Sequence, residues 1–132
     1  MFTTLIVEDN APFRHFLNEL LRERFPVMII AEAEEGEEVR RKIHTLAPDL
    51  ILMDIGLPGE NGLALAREIK GRYPKTIVII LTGYDLPEYR QAAAQYGAKY
   101  FFSKDALDVE DMVKAVKTTV EDQGHEADCP TS

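Results

Sequence analysis

The stretch Leu50-Ile51-Leu52-Met53-Asp54-Ile55-Gly56 sets the reading of this chain. Its apolar run is short enough for a strand, and a carboxylate that ends a buried strand costs free energy unless a metal or hydrogen bonds hold it there. Working outward, every other candidate strand also runs into a polar residue. Glu8 and Asp9 follow Leu5-Ile6-Val7, Thr82 follows Val78-Ile79-Ile80-Leu81, and Lys104 follows Tyr100-Phe101-Phe102-Ser103. In a parallel α/β sheet, ligands bind outside the carboxyl ends of the strands, near the point where strand order reverses. The four positions are therefore expected to converge on one crevice.

Short β-rich runs alternate with helical patterns five times, which predicts one α/β domain: a doubly wound parallel sheet with helices on both faces. Strands are expected at 3–7, 27–32, 49–53, 76–81 and 99–103. The first helix starts at Asn10 as N-cap with Pro12 in its first turn, carries Phe13, Phe16, Leu17, Leu20 and Leu21 as one apolar stripe, and ends before Pro26. Val39, Ile43 and Leu46 define the second helix, which Pro48 stops; the third follows Asn61-Gly62 with Leu63, Ala66 and Ile69 inward. A fourth opens around Leu86-Pro87-Glu88 and closes at Gly97, and a fifth carries Val109, Met112, Val113, Val116 and Val120. Composition turns polar near Glu121, so residues 1–120 are expected to form the domain and 121–132 a polar tail or the start of a linker.

A chain of 132 residues with 45% hydrophobic content fits one packed domain and leaves no room for a second. The 23 acidic residues against 15 basic ones give a net charge of -8, which repels nucleic-acid phosphates, so direct DNA or RNA binding is not expected. No apolar run approaches a membrane span, and Met1-Phe2-Thr3-Thr4-Leu5 lacks the basic start of a secretion signal, so the expectation is a cytoplasmic protein without membrane contact. The single Cys129 can form no internal disulfide and is expected to be an idle, reduced thiol.

Glu8, Asp9 and Asp54 bring three carboxylates to one place. At about 4 Å and an effective dielectric near 20, each pair costs on the order of 4 kcal/mol, so positive charge must sit among them. A hard cation with oxygen ligands suits such a set, and Mg2+ in particular uses one or two carboxylates and keeps several waters. Lys104 adds a compact point charge, Thr82 a hydroxyl, and Gly83 a backbone N–H with no side chain in the way. Each of these residues alone has a bland reading as a turn cap or a solvated surface group. Their conjunction in this order overturns it.

An acidic pair after the first strand, Asp54 after the third, Thr82 after the fourth and Lys104 after the fifth resembles the receiver domain of two-component response regulators over nearly the whole chain. The resemblance implies a flavodoxin-like (βα)5 fold with strand order 2-1-3-4-5. It makes Asp54 the phosphoacceptor, with Mg2+ held by Asp9, Asp54 and the backbone carbonyl of Gly56, and by Glu8 through water. Lys104, Thr82 and Gly83 would bind the phosphoryl group. Thr82 and Phe101 would form the switch, since receivers carry an aromatic three residues before this lysine that swings inward as the Ser or Thr moves. The implied partners are a sensor histidine kinase or a histidine phosphotransfer protein as donor and a downstream effector or output domain read through the helix 4, strand 5, helix 5 face. A homodimer is left open. No turnover of an independent substrate is expected.

Two other readings compete. An aspartate-nucleophile phosphatase would want D-x-D after the first strand, and Val7-Glu8-Asp9-Asn10-Ala11 has none; a flavin-binding module would want a phosphate-cradling Ser/Thr-Gly loop there. The glycine-rich Gly56-Leu57-Pro58-Gly59-Glu60-Asn61-Gly62 lacks both the G-x-G-x-x-G spacing and a Walker lysine and reads as the turn into the third helix. His15 and His44 fall in helices among charged residues, and His125 in the tail, which gives no metal triad. By strand alternation Phe101 shares a face with Lys99 and Ser103, an apolar residue on a polar face. Lys104-Asp105 stands where many receivers have Lys-Pro, and so resembles the subgroup whose full-length members often carry a helix-turn-helix output domain.

Overall fold

The computed structural model describes residues 1–124; the expected positions of His125 and Cys129 lie outside them. In chain order the elements are β1 (Thr3–Val7), α1 (Ala11–Arg24), β2 (Ile29–Ala33), α2 (Gly36–Leu46), β3 (Leu50–Met53), β4 (Gly56–Leu57), β5 (Glu60–Asn61), α3 (Gly62–Arg72), β6 (Ile77–Thr82), α4 (Pro87–Gln95), β7 (Tyr100–Ser103) and α5 (Val109–Asp122). Five strands form one parallel sheet in the order β2-β1-β3-β6-β7. Leaving aside β4 and β5, which pair only with each other, this is the expected 2-1-3-4-5 arrangement.

Alternation along the strands divides the apolar residues between two cores. Leu5, Val7, Ile51, Met53, Val78 and Ile80 face α2, α3 and α4. Ile6, Leu50, Leu52, Ile79 and Leu81 face α1 and α5. A strand covered on both faces has no polar side, which is why these segments are near-continuous Val/Ile/Leu runs.

Helix starts follow local chemistry. Asn10 Oδ1 accepts the Phe13 N–H at 3.0 Å, Asn61 Oδ1 accepts the Leu63 N–H at 2.7 Å, and Asp108 accepts the N–H groups of Glu110 and Asp111. Pro87 occupies the first turn of α4, where its missing N–H costs nothing. β3, β6 and β7 each begin one residue later than expected, and two boundaries differ by two residues. β2 begins at Ile29 and not at 27, because the Met28 N–H closes a turn onto the Phe25 carbonyl at 3.0 Å and pairing with β1 starts only at Thr3 and Ile29. α5 continues to Asp122, two residues past the expected limit at 120, with Thr119 and Val120 buried.

The segment expected to be a plain turn is a small hairpin. Gly56 pairs with Asn61 and Leu57 with Glu60 around a Pro58-Gly59 corner, where Gly59 adopts a φ of 75°. Arg40 of α2 fastens it: its guanidinium pairs with Glu60 at 2.8 Å and with Glu68 of α3 at 2.9 Å.

Gly62 joins this hairpin to α3 in a space with no room for a side chain. A Cβ there would lie 2.3 Å from the Asp54 carbonyl oxygen and 2.7 Å from the Ile55 Cα, both backbone atoms that cannot step aside cheaply. Gly62→Ala is expected to lower stability by about 1–3 kcal/mol, read as a lower urea midpoint with an unchanged slope. An unchanged midpoint would mean that the loop after β3 is free to shift.

Candidate functional site

Backbone ladders carry the polar residues to one edge. The Glu8 N–H donates to the Ala33 carbonyl at 3.0 Å, the Asp54 N–H to Val7 at 3.2 Å, and the Lys104 N–H to Thr82 at 2.8 Å, so each residue leaves its strand at the same level of the sheet. Glu8, Asp9 and Asp54 then present carboxylate oxygens that all lie within 4.8 Å of one another. Lys104 Nζ bridges two of them, contacting Glu8 and lying 2.9 Å from Asp54 Oδ2. Of the four strand-end positions expected to converge, those after β1, β3 and β7 bring their side chains together here.

Burial makes the charge balance severe. Glu8 is 2% exposed and Asp54 7%, whereas Asp9 is open to solvent. Burial pushes the Glu8 carboxyl above the usual carboxylate range, although Lys104 and the Asn10 N–H, at 3.0 Å, both hold it down. Burial also works against the Lys104 charge, but the hydrogen bonds to Glu8 and Asp54 outweigh it and raise its pKa. One ammonium against three carboxylates leaves two negative charges, so this oxygen-only donor set fits a hard divalent cation.

Other sequence candidates fall around this centre. Thr82 is fully buried at the end of β6, and its hydroxyl oxygen accepts the Tyr84 N–H at 3.2 Å. A Cβ at Gly83 would meet nothing within 4 Å, so the fold itself does not require glycine there. Gly56 lies in the hairpin; its N–H donates to Asp54 Oδ1 at 3.2 Å, and the ring of Tyr84 covers it so closely that a Cβ would come within 2.7 Å. His15 pairs with Glu19, one turn along α1, and His44 sits in the last turn of α2; neither belongs to the acidic group.

The face of β7 that carries Phe101 with Lys99 and Ser103 is covered by α4: Ser103 is buried, and Phe101 is half-buried against the core beneath α2, α3 and α4. Arg90 of α4 lies over its ring at 4.7 Å and is held there by Asp85, at 2.5 and 3.2 Å. Strand alternation could not reveal a cover supplied by another element.

Sequence reasoning also missed three neighbours of the acidic centre. Arg14 donates to the Glu8 carbonyl at 2.8 Å and pairs with Glu32 at 2.9 Å, fixing the turn after β1. Tyr84 roofs Gly56, and Phe13, assigned to the apolar stripe of α1, lies against Lys104. Only Phe13 left a sequence trace, as an aromatic four residues after Asp9.

Comparisons with known proteins agree with this geometry. A family model described as the response regulator receiver domain matches residues 4–117. The oxygen regulatory protein NreC of Staphylococcus aureus is 33% identical over 115 residues, covering 86% of this chain and 52% of that protein. Its counterpart in Staphylococcus haemolyticus is 34% identical over the same length. The chain thus spans about half the length of these relatives. Among solved structures, the signal receiver domain of a DNA binding response regulator from Colwellia psychrerythraea superposes with a TM-score of 0.87 at 28% identity, covering 92% of this chain and 99% of that one. The response regulator TrrA of Thermotoga maritima, solved in complex with Mg(2+)-BeF, gives 0.78 at 31% identity, covering 90% and 99%. With its acidic triad and lysine at one sheet edge and the match running through every strand of the sheet, this chain belongs to the response regulator receiver domain family.

Proposed function

We propose that this protein is a phosphorylation-controlled switch whose acceptor is Asp54. The observation that carries the reading is Lys104 Nζ at 2.9 Å from Asp54 Oδ2 inside a crowd of three carboxylates. An Asp54 carboxylate oxygen attacks phosphorus, the bond from phosphorus to the donor's histidine nitrogen breaks, and that nitrogen keeps the electron pair and takes up a proton. The Lys104 ammonium follows the negative charge onto a phosphoryl oxygen, assisted by the Thr82 hydroxyl and the Gly83 N–H. Asp9, Asp54 and the Gly56 carbonyl would hold Mg2+, with Glu8 acting through water; the ion supplies charge neutralisation between acceptor and phosphate. The donor is a phosphohistidine of a sensor kinase or phosphotransfer protein, and the chain turns over no independent substrate. Neither the phosphatase nor the flavin alternative gains support from the family match.

Signalling would run from Thr82 to Phe101. A buried hydroxyl that already accepts the Tyr84 N–H can still donate its own hydrogen to a phosphoryl oxygen. Drawing Thr82 toward Asp54 pulls on Tyr84 and Asp85, and Asp85 holds Arg90 over Phe101. The readout face is then α4, β7 and α5. The receiver unit runs through α5 to Asp122, and the 115 residues matched in the curated relatives are 52% of their length. The described residues include no helix long and apolar enough to cross a membrane, which accords with a cytoplasmic role.

Intact-mass measurement after incubation with acetyl phosphate and Mg2+ is expected to show one added phosphoryl group, lost in Asp54→Asn and with a chelator present. Full labelling of that variant would remove Asp54 as the acceptor. Mg2+ at millimolar levels is expected to raise the melting temperature. Asp9→Asn should raise it by about 3 °C without metal, because it relieves repulsion and, unlike a change at Glu8, takes no partner from Lys104. The variant should then respond less to Mg2+; a wild-type response would place the ion elsewhere. Thr82→Ala should still be phosphorylated, since a charge-assisted bond of roughly 1.5–3 kcal/mol biases the switch without making the acceptor. With a beryllofluoride mimic its amide shifts at Tyr89, Phe101 and Val113 should stay near unmodified positions. The full wild-type pattern in that variant would show that Thr82 does not carry the signal.

A further inference from the structure

Lys104 is held from three directions, and only two of them are carboxylates. An ammonium has three donors. Glu8 and Asp54 account for two sides, and on a third Nζ lies over the Phe13 ring, 4.8 Å from its centroid. That is within the range over which the negative face of an aromatic ring attracts a cation.

The ring is placed by a closed circuit of contacts. The Glu8 carboxylate accepts the Asn10 N–H at 3.0 Å, and the Asn10 side chain accepts the Phe13 N–H at 3.0 Å. The Phe13 ring faces Lys104, and Lys104 returns to Glu8. The N-cap that starts α1 therefore also aims an aromatic face at the end of β7. Phe13 is half-buried against the core beneath α1 and α5, with Phe16 beside it at a centroid distance of 5.8 Å.

The geometry points to Phe13 as a positioning residue for Lys104, keeping its ammonium over Asp54 through a cation–π contact and so speeding phosphoryl uptake. This rests on the acceptor reading above. Lysine is a strongly hydrated charge on a flexible stem of four carbons, and needs fixed neighbours to keep one position. Its carboxylate neighbours are the groups a divalent cation would also claim. The attraction of the ring does not depend on how many carboxylates remain free. An aliphatic side chain fills similar space but offers no negative face.

The test uses the full chain with Phe13→Leu, Phe13→Met and Phe13→Tyr. Acetyl phosphate with Mg2+ serves as donor, being too small to report on a protein docking surface. The first readout is the initial rate of phosphoryl uptake. The second needs no phosphoryl group: the upfield ring-current displacement of the Lys104 ε-CH2 proton signals. Leu and Met are expected to slow uptake roughly 3- to 30-fold and to remove the displacement, while Tyr keeps the rate within about twofold and retains it. Wild-type rates in Leu and Met, or a Tyr variant as slow as they are, would overturn the positioning role. Were the wild type itself to take up no phosphoryl group, the acceptor reading would fall separately, and the ring-current comparison would decide alone. Lys104 signals in the wild type no different from those in Leu and Met would then overturn it.

Discussion

One ammonium among three carboxylates is the interaction on which this structure turns. Glu8 and Asp54 are buried at the sheet edge, where ionised carboxylates are costly, and Lys104 alone among the described residues bridges them. It offsets part of their repulsion and leaves the rest unbalanced. Burial holds the Glu8 carboxyl above its usual range in spite of Lys104, while the hydrogen bonds to Glu8 and Asp54 hold the Lys104 pKa up against its own burial. A site in this condition favours an added cation first and an anion after it, the sequence that phosphorylation of Asp54 would require.

Such a centre needs a rigid frame, because Coulomb energies change steeply over the short distances involved. The sheet provides it. Strand side chains alternate into two separate cores, so no strand can slip by one residue without moving its apolar set to the wrong side. The loop after β3 is secured separately by the β4–β5 hairpin, the Arg40 bridges to Glu60 and Glu68, and the backbone contact at Gly62. Burial falls off toward α4, where Tyr84 and Leu86 are exposed and only Ala93 of the helix is fully buried. The same molecule thus combines a fixed acidic centre with a loosely covered neighbour, the combination that the proposed switch would require.

The Phe101 environment gives that loose side specific parts. A tyrosine at this position could anchor an outward orientation with its hydroxyl; a phenylalanine cannot. Here the guanidinium of Arg90 lies over the ring and is tied to Asp85, three residues beyond Thr82. The two proposed switch residues are therefore linked through a loop and an ion pair as well as through the adjacent strands β6 and β7, where Thr82 is in register with Ser103.

Sequence alone determined the five sheet strands, the five helices, their order and the strand-end positions of Glu8, Asp9, Asp54 and Lys104 that meet, because each is a local consequence of residue type: apolar runs make strands, Asn10, Asn61 and the prolines punctuate helices, and parallel strands end on one side. The family resemblance added the strand order. Tertiary structure decided what depends on residues far apart in the chain. That Phe101 is covered by Arg90, that Gly56 lies under Tyr84, that Arg40 braces the hairpin and that Phe13 faces Lys104 all follow from which helix lies over which strand end. Periodicity reports whether a face is apolar, and long-range packing decides which group covers it, because that choice is made by the shape of the whole domain and not by any one segment.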